Sequence, residues 1–284
     1  MDRVKSELLL TCGMTSQFGS SFFFCMNNQN IYEFPDARHI VVSGDIHGDF
    51  AKLVFKVVVE YHMSDTLVVV AGDCGFGFRK QGYYEDIVYR CRHRLEKSNI
   101  WVVFVRGNHD NPAFFDGQAV NYKRWKAVPD YSVLKACGHT ILCVGGATSV
   151  ERTYRMDHRC FVANPKDRFA PNIYWRDEPP VYDQERLDAI NEVCVIDTVI
   201  THTAPSFCEK KEKRNMEEWV ISDYHLEADV AKERQTMDSI LTYLKVHGHP
   251  LRYWYYGHFH ESWHSEIDGV MYNLLDCAEL REIE

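Results

Sequence analysis

Side chains that can bind divalent cations recur along this chain, each group following a short apolar run by one to four residues. The five groups consist of aspartate, asparagine and histidine residues: Asp45 with His47, Asp73, Asn108 with His109, His202, and His258 with His260. Mixed carboxylate and imidazole ligands suit Mn, Fe or Zn, whereas Mg and Ca favour sites made of oxygen alone. The residue types therefore predict a transition-metal site.

Two of the groups have the spacing X-x-His, namely Asp45-x-His47 and His258-x-His260. In an extended segment, residues i and i+2 point to the same side of the chain, so both members of a pair can reach one pocket. Glycines at positions 44, 48, 72, 107 and 257 allow the backbone to turn sharply beside these bulky side chains.

The apolar runs before these groups predict the strands that position them. They cover residues 39–43, 66–71, 99–105, 197–201 and 251–256. Helical patterns follow over residues 50–62, 83–97, 183–192 and 222–246. Such an alternation is typical of buried, largely parallel strands in an α/β fold. Ligands in these folds collect outside the carboxyl ends of the strands, so we expect all five groups at one edge of the sheet.

Other segments predict antiparallel structure and the extent of the domain. Residues 125–128, 132–136 and 140–144 indicate a meander, and Asp268-Gly269 between two apolar runs is a strong signal for a β-hairpin. The chain has no internal repeat and no low-complexity linker. We therefore expect one domain over residues 39–284, with an N-terminal extension over 1–38 and an insertion at about 145–181.

The composition narrows the class of partner. There are 32 Lys and Arg against 41 Asp and Glu, a formal net charge of −9, which opposes non-specific binding to nucleic acid. A small anionic substrate is compatible with this charge, because bound cations reverse the local field. No segment approaches the roughly 18 apolar residues of a membrane span. The ten cysteines form no C-x-x-C pair, and we expect a reduced, cytoplasmic protein.

Taken in order, the five groups resemble the calcineurin-like metallophosphoesterase superfamily. The resemblance rests on blocks that span most of the chain: Gly44-Asp45-Ile46-His47, Gly72-Asp73, Gly107-Asn108-His109-Asp110, Thr201-His202 and Gly257-His258-Phe259-His260. It implies two mixed β-sheets packed face to face with helices outside. The expected architecture is thus a four-layer αββα sandwich, with the metal site at the carboxyl ends of the strands.

The resemblance also implies two divalent ions, which would share one ligand. The first ion would be bound by Asp45, His47, Asp73 and His260. The second would be bound by Asp73, Asn108, His202 and His258. A shared carboxylate reduces the repulsion between two dications roughly 3.5–4 Å apart, and a bridging hydroxide would attack phosphorus. In the family the histidine equivalent to His109 faces the leaving-group oxygen, so we expect a general acid or charge stabiliser there.

The second block departs from the protein Ser/Thr phosphatases, which the first and third blocks resemble. Those enzymes carry a second Asp and then Arg-Gly shortly after the Gly-Asp pair, whereas Phe76 and Gly77 stand at the corresponding positions here. Protein phosphatase activity is therefore disfavoured. Either another carboxylate orients His109, with Asp49 and Asp110 as candidates, or His109 acts without one.

Three arginines are candidate substrate ligands, because a guanidinium group binds phosphate bidentately. Arg106 directly precedes the third block, while Arg152 and Arg155 lie in the insertion beside aromatic residues that can stack on a base or a sugar. We hypothesise that the insertion caps the metal cleft and selects the leaving group. The alternative is a surface flap whose arginines pair with nearby acids: Asp157, Asp167, Asp177 and Glu178.

The predicted function is metal-dependent hydrolysis of a phosphate mono- or diester, on a small or nucleotide-like substrate. A protein Ser/Thr phosphatase is the alternative among enzymes. A non-catalytic metal-binding interaction scaffold is the alternative from another class. Because every expected ligand and His109 are present, the sequence favours the enzyme.

Overall fold

Two mixed β-sheets carry the apolar runs of the sequence. The computed structural model describes residues 30–157, 168–210, 213 and 215–284. In these residues the strands, in chain order, are β1 (Ile31–Glu33), β2 (His39–Ser43), β3 (Thr66–Ala71), β4 (Trp101–Val105), β5 (Asn121–Tyr122), β6 (Trp125–Ala127), β7 (Ser132–Ala136), β8 (His139–Val144), β9 (Thr198–Thr201), β10 (Tyr253–Tyr256), β11 (Trp263–Ile267), β12 (Val270–Leu274) and β13 (Leu280–Glu282).

One sheet has the strand order β13-β2-β3-β4-β6-β5, and its four central strands are parallel. The other has the order β1-β7-β8-β9-β10-β12-β11, and its strands β8, β9, β10 and β12 are parallel to one another. The first sheet ends in an antiparallel pair at both edges, and the second does so at β11. The prediction of largely parallel strands with a hairpin near the C-terminal end is confirmed.

Helices cover the outer faces of both sheets. They are α1 (Phe50–Phe55), which continues as a π-helical turn over Lys56–Glu60, α2 (Gln81–Lys97), α3 (Arg152–Asp157), α4 (Gln184–Val193), α5 (Met216–Val220) and α6 (Leu226–Val246). In α2 the buried residues Tyr84, Ile87, Cys91 and Leu95 recur at helical spacing and so line one face. No helix in the described part of the chain combines the length and the hydrophobicity needed to cross a membrane.

Three hydrophobic layers hold this arrangement together. Alternate residues of a strand point to opposite faces of a sheet, so that in β3 Leu67 and Val69 pack against the second sheet. Val68 and Val70 point the other way and pack against α1 and α2. A third layer lies between the second sheet and helices α4 and α6. The predicted four-layer αββα sandwich is therefore confirmed.

The predicted meander over residues 125–144 is wrong, because its first strand and its other two belong to different sheets. Strand β6 pairs in parallel with β4, whereas β7 and β8 form an antiparallel hairpin in the second sheet. The connection contains Pro129, which lacks the N–H group that a β-ladder requires. The chain leaves the first sheet at this residue.

Strand β1 lies within the N-terminal extension that the sequence predicted, and it pairs with β7 at the edge of the second sheet. Residues 1–29 of that extension lie outside the described residues, as do residues 158–167 of the predicted insertion. The described part of the insertion contains α3 and irregular segments before and after it.

Candidate metal centre

The predicted ligands lie in loops at the carboxyl ends of five parallel strands. Three loops follow β2, β3 and β4 in the first sheet, and two follow β9 and β10 in the second. The two sheets pack face to face, so these loops meet at one edge of the sandwich. The structure thereby brings all seven predicted ligands together: Asp45, His47, Asp73, Asn108, His202, His258 and His260.

One half of the cluster is formed by Asp45, His47, Asp73 and His260, whose potential ligand atoms all lie within 4.8 Å of one another. The Nε2 atoms of His47 and His260 are 3.0 Å apart. Oδ2 of Asp45 lies 3.0 Å from Nε2 of His260 and 3.8 Å from that of His47. This set matches the ligands implied for the first ion.

The other half centres on the amide oxygen of Asn108. Its Oδ1 atom lies 3.0 Å from Nε2 of His202 and 3.0 Å from Nδ1 of His258. The same Nε2 of His202 is 3.2 Å from Oδ1 of Asp73. Asp73, a member of the first half, therefore also contacts the second half.

The chemistry of these donors fits cations. Oδ2 of Asp45 and Oδ2 of Asp73 are buried and have no hydrogen-bond partner. Nδ1 of His202 lies 2.8 Å from the carbonyl oxygen of Ala71 and can donate to it, so Nε2, which faces two oxygen atoms, is the nitrogen that a cation would bind. A buried carboxylate is costly unless it is paired or coordinates a metal. Cations between these atoms would compensate both buried carboxylates.

The charges of the site act on its histidines in different ways. Burial alone would lower the pKa of His202, but the carboxylates of Asp73 and Asp45 outweigh it and raise that pKa to about 9. Burial lowers the pKa of His47 and holds that of His258 well below its usual range. The latter two rings are therefore neutral near pH 7, the form in which imidazole binds metals.

Four of the seven ligand residues have left-handed backbone conformations, with φ of 44° at His47, 45° at Asp73, 72° at His258 and 53° at His260. Such values are costly for residues other than glycine, and they persist where the surrounding structure imposes them. Gly72 makes room for this geometry, because a Cβ atom there would lie 2.1 Å from Nδ1 of His202. The fold therefore holds the ligands in a strained arrangement.

His109 lies beside this cluster. Its backbone N–H donates to Oδ1 of Asp73 over 2.8 Å, and its Nε2 atom is 3.8 Å from Oδ2 of the same residue. Nε2 is also 3.4 Å from the carboxylate of Glu151. Nη2 of Arg155 is 2.6 Å from Nδ1 of the ring, and Arg155 also pairs with Glu151.

The carboxylate of Glu151, and not that of the candidates Asp49 and Asp110, lies 3.4 Å from the His109 ring. The Asp110 carboxylate is buried and accepts hydrogen bonds from four backbone N–H groups, those of residues 74–76 and 107, while Asp49 is exposed beside Lys52. Burial opposes ionisation of Glu151, but His109 and Arg155 lower its pKa well below the usual range. The sequence offered one weak signal for Glu151, its position in the loop after β8.

A hydrogen-bond chain fixes the orientation of the Asn108 amide. Its Nδ2 donates to Oγ of Ser149 over 2.8 Å, and that hydroxyl donates to Oε2 of Glu178 over 2.8 Å. A second bond runs from the Ser149 N–H to Oε1 of Glu178. Because Nδ2 is held on this side, Oδ1 faces His202 and His258.

Of the three candidate substrate ligands, Arg155 is the one whose described contacts include His109 beside the cluster. Arg106 is buried, and its guanidinium binds the carboxylate of Asp130 and the backbone carbonyls of residues 177 and 178. Arg152 pairs with Asp223 and Asp229. Arg106 and Arg152 therefore connect parts of the fold in this structure.

An αββα sandwich with carboxylate, amide and imidazole donors at its strand ends defines the class of metallophosphoesterases. Residues 38–262 match the family profile of calcineurin-like phosphoesterases. The chain therefore belongs to that family. No curated protein sequence matches it significantly.

Solved structures are similar to this fold at low sequence identity. TT1561 of Thermus thermophilus has 13% identity and a TM-score of 0.51, over 87% of this chain and 98% of that one. A dimetal phosphatase from Danio rerio has 12% identity and a TM-score of 0.42, over 86% and 88% of the two chains. A phosphopantetheinyl hydrolase from Mycobacterium tuberculosis has 15% identity and a TM-score of 0.36, over 87% and 96%. The likeness to TT1561 shows the fold.

Proposed function

We propose that this chain is a dinuclear phosphoester hydrolase that acts on a small or nucleotide-like substrate. The observation that carries the proposal is the pair of donor sets that share Asp73. One set comprises Asp45, His47 and His260 with Asp73. The other comprises Asn108, His202 and His258, with Nε2 of His202 facing Asp73 at 3.2 Å.

Two bound transition-metal ions, Mn, Fe or Zn, would activate a water molecule and neutralise charge on the phosphoryl oxygens. The residues of the chain supply the rest of the chemistry. His109 lies beside the shared ligand, where its ring can donate a hydrogen bond to the leaving-group oxygen. Glu151 is placed to orient that ring, and its lowered pKa keeps it ionised at neutral pH.

Arg155 is the proposed ligand of the substrate phosphate. Its guanidinium is buried beside His109 and Glu151, and a second nitrogen donates to the carbonyl of Ile173. An arginine held in this way meets a phosphoryl oxygen with little further loss of conformational freedom. Arg106 and Arg152 are not included in this role, because they bind Asp130 and Asp223, whereas Arg155 lies against the His109 ring.

An aromatic wall supports a substrate with a planar leaving group. The rings of Phe78 and His109 are 6.2 Å apart, and Trp175 of the insertion lies 6.0 Å from Phe78. Trp175 also covers Gly77, where a Cβ atom would lie 2.6 Å from the indole. This is the position at which the protein Ser/Thr phosphatases carry their phosphate-binding arginine. The space for that side chain is filled, which favours the small or nucleotide-like substrate.

The test is an assay of the metal-reconstituted protein on matched phosphomonoester and phosphodiester substrates, followed by a panel of nucleotides. We expect turnover that falls by about a hundredfold or more in His109→Ala, the usual range for a proton-transferring side chain, while both cations stay bound. His93→Ala is the control, because His93 is an exposed residue of α2.

Two results would contradict the proposal. If His109→Ala lost a cation, His109 would be a ligand instead of a catalytic residue. If wild-type protein bound two cations and turned over none of the substrates, the chain would be a metal-binding scaffold.

A further inference from the structure

The loop between β12 and β13 lies directly against the segment that carries Asp45. The N–H of Ala278 donates to the carbonyl of Asp45 over 2.8 Å, and Nζ of Lys56 donates to the carbonyl of Ala278 over 2.5 Å. A Cβ atom on Gly44 would lie 2.2 Å from the carbonyl oxygen of Asp276. These contacts fix the backbone on both sides of Cys277.

This placement brings the thiol of Cys277 to the metal centre. Sγ of Cys277 and one ring nitrogen each of His47 and His260 all lie within 4.8 Å of one another. Zinc binds sulfur at about 2.3 Å and imidazole nitrogen at about 2.0–2.1 Å, so ligand atoms of one cation lie at most about 4.4 Å apart. The three atoms can reach one cation through small side-chain movements.

A second observation points to a cation at the same place. Oδ2 of Asp45 is buried, has no hydrogen-bond partner, and lies 3.0 Å from Nε2 of His260. His47 and His260 thus belong both to the donor set that contains this oxygen and to the set that contains the thiol. Carboxylate, imidazole and thiolate together are typical ligands of transition metals.

We propose that Cys277 is an additional ligand of the first cation, a role that rests on the dinuclear centre of the proposed function. The thiol would bind as the thiolate and release its proton to solvent. Soft sulfur ligands favour Zn and Fe over Mn and Mg, whereas carboxylate and imidazole alone admit all the transition metals considered. Cys277 would thus make this centre selective for zinc or iron.

Cobalt substitution tests this role without any measurement of turnover. Full-length apo-protein is loaded with Co²⁺ and its absorption spectrum is recorded. We expect a near-ultraviolet thiolate-to-cobalt charge-transfer band in the wild type. The band is lost in Cys277→Ser, which still binds two cobalt ions, and is kept in Cys137→Ser. Cys137 is a matched control because it is also an exposed free thiol, and it lies in the turn between β7 and β8.

Zinc affinity provides a second readout. In competition with a chelator, Cys277→Ser should bind zinc at least about tenfold more weakly at the first site. Loss of a residue that only hydrogen-bonds to a metal ligand already lowers metal affinity by about tenfold or more. Manganese affinity should change less, because manganese prefers oxygen ligands. Cys137→Ser should leave both affinities unchanged.

The outcomes separate this inference from the proposed function. Two bound cobalt ions without a charge-transfer band in the wild type would overturn the role of Cys277 and leave the dinuclear centre intact. A band that persists in Cys277→Ser would overturn it as well. If the wild type bound no cobalt, the dinuclear centre itself would fail, and the role of Cys277 with it.

Discussion

Single atoms define the chemistry of this centre. Oδ2 of Asp45 and Oδ2 of Asp73 are buried acceptors without a donor, and Nε2 of His202 faces two oxygen atoms. Removing a carboxylate from water costs several kcal/mol when nothing compensates its charge. Cations bound here would offset this cost, so the folded state and the cations would stabilise each other.

Glu151 provides the sharpest prediction for a single residue. We expect Glu151→Gln to lower kcat by about tenfold or more, because the His109 ring loses the carboxylate that orients it, as is usual for the partners of functional histidines. KM and the number of bound cations should stay unchanged, since the side chain keeps its size. Steady-state kinetics and metal analysis measure these quantities.

The control for Glu151 is Glu185→Gln, an exposed acid on α4. A positioning role also predicts a pH-rate profile that changes shape in Glu151→Gln and not in the control. An unchanged kcat, or the loss of a cation in Glu151→Gln, would contradict the role.

Among the elements, the loop after β3 departs from the protein Ser/Thr phosphatases for a physical reason. Phe76 is completely buried, and its ring lies 5.0 Å from that of Phe50 and 5.3 Å from that of Phe104. An aspartate in this loop would point into the hydrophobic core between the first sheet and its helices. The backbone of the loop thus turns residue 76 away from the metal centre.

The Phe76→Asp variant is therefore expected to be less stable than the wild type and to show no protein phosphatase activity. The free energy of unfolding should fall by more than about 3 kcal/mol, because the change removes a core aromatic ring and buries a carboxylate. Phe55→Asp, at a position that is 51% exposed, should change it by no more than about 0.5 kcal/mol. Urea unfolding distinguishes the two variants, and equal losses would contradict this account.

The insertion is attached to the sandwich by buried polar contacts. Arg106 binds the backbone carbonyls of residues 177 and 178, and the Glu178 side chain accepts two bonds from Ser149. Burial raises the pKa of Glu178 to about 8, against 4.5 for an ordinary glutamate, although the bonds from Ser149 partly oppose the rise. Protonation of this carboxyl group is thus coupled to folding.

The sign of the effect follows from linkage. Between pH 4.5 and about 8 the folded chain holds a proton on Glu178 that the unfolded chain has released. The unfolding free energy contributed by this group therefore decreases as pH rises through this range and levels off above it. Gln stays neutral at every pH, so the Glu178→Gln variant does not lose this contribution. The difference in Tm, variant minus wild type, should therefore increase from about pH 5 to about pH 8.

Differential scanning calorimetry at saturating metal measures this Tm difference. Effects of pH on the cations are common to both proteins and cancel in the difference. The exposed Glu185→Gln should show no such trend. A Tm difference for Glu178→Gln that is constant with pH would contradict the prediction.

At the scale of the whole molecule, the apolar runs predict an α/β fold and the edge where the ligands meet, and the family resemblance adds the four layers of the sandwich. The reason is that apolar runs such as residues 66–71 are buried on both faces, so their pattern is strong. The path of the chain after β6 could not be predicted, because Pro129 breaks a strand without indicating which sheet follows. The short edge strands β1 and β13 have three residues each and no distinct pattern.

The site itself was predictable only where residue types repeat at a recognisable spacing. The histidine and aspartate blocks satisfy that condition. Glu151 and Cys277 do not, because each is a single residue in a loop after a strand, and only the folded chain brings it to His109 or to His47. Substitutions at residues 76 and 77 were evident in the sequence, but the packing of Phe76 and Trp175 that explains them was not.

The central claim is that two cations held by donor sets that share Asp73 perform phosphoester hydrolysis. The most direct measurement is turnover of a generic phosphoester as a function of the number of cations bound per chain, with zinc or manganese added stepwise to apo-protein. We expect little turnover with one cation, a steep rise as the second binds, and saturation at two. Full turnover with a single cation, or no turnover with two, would contradict the claim.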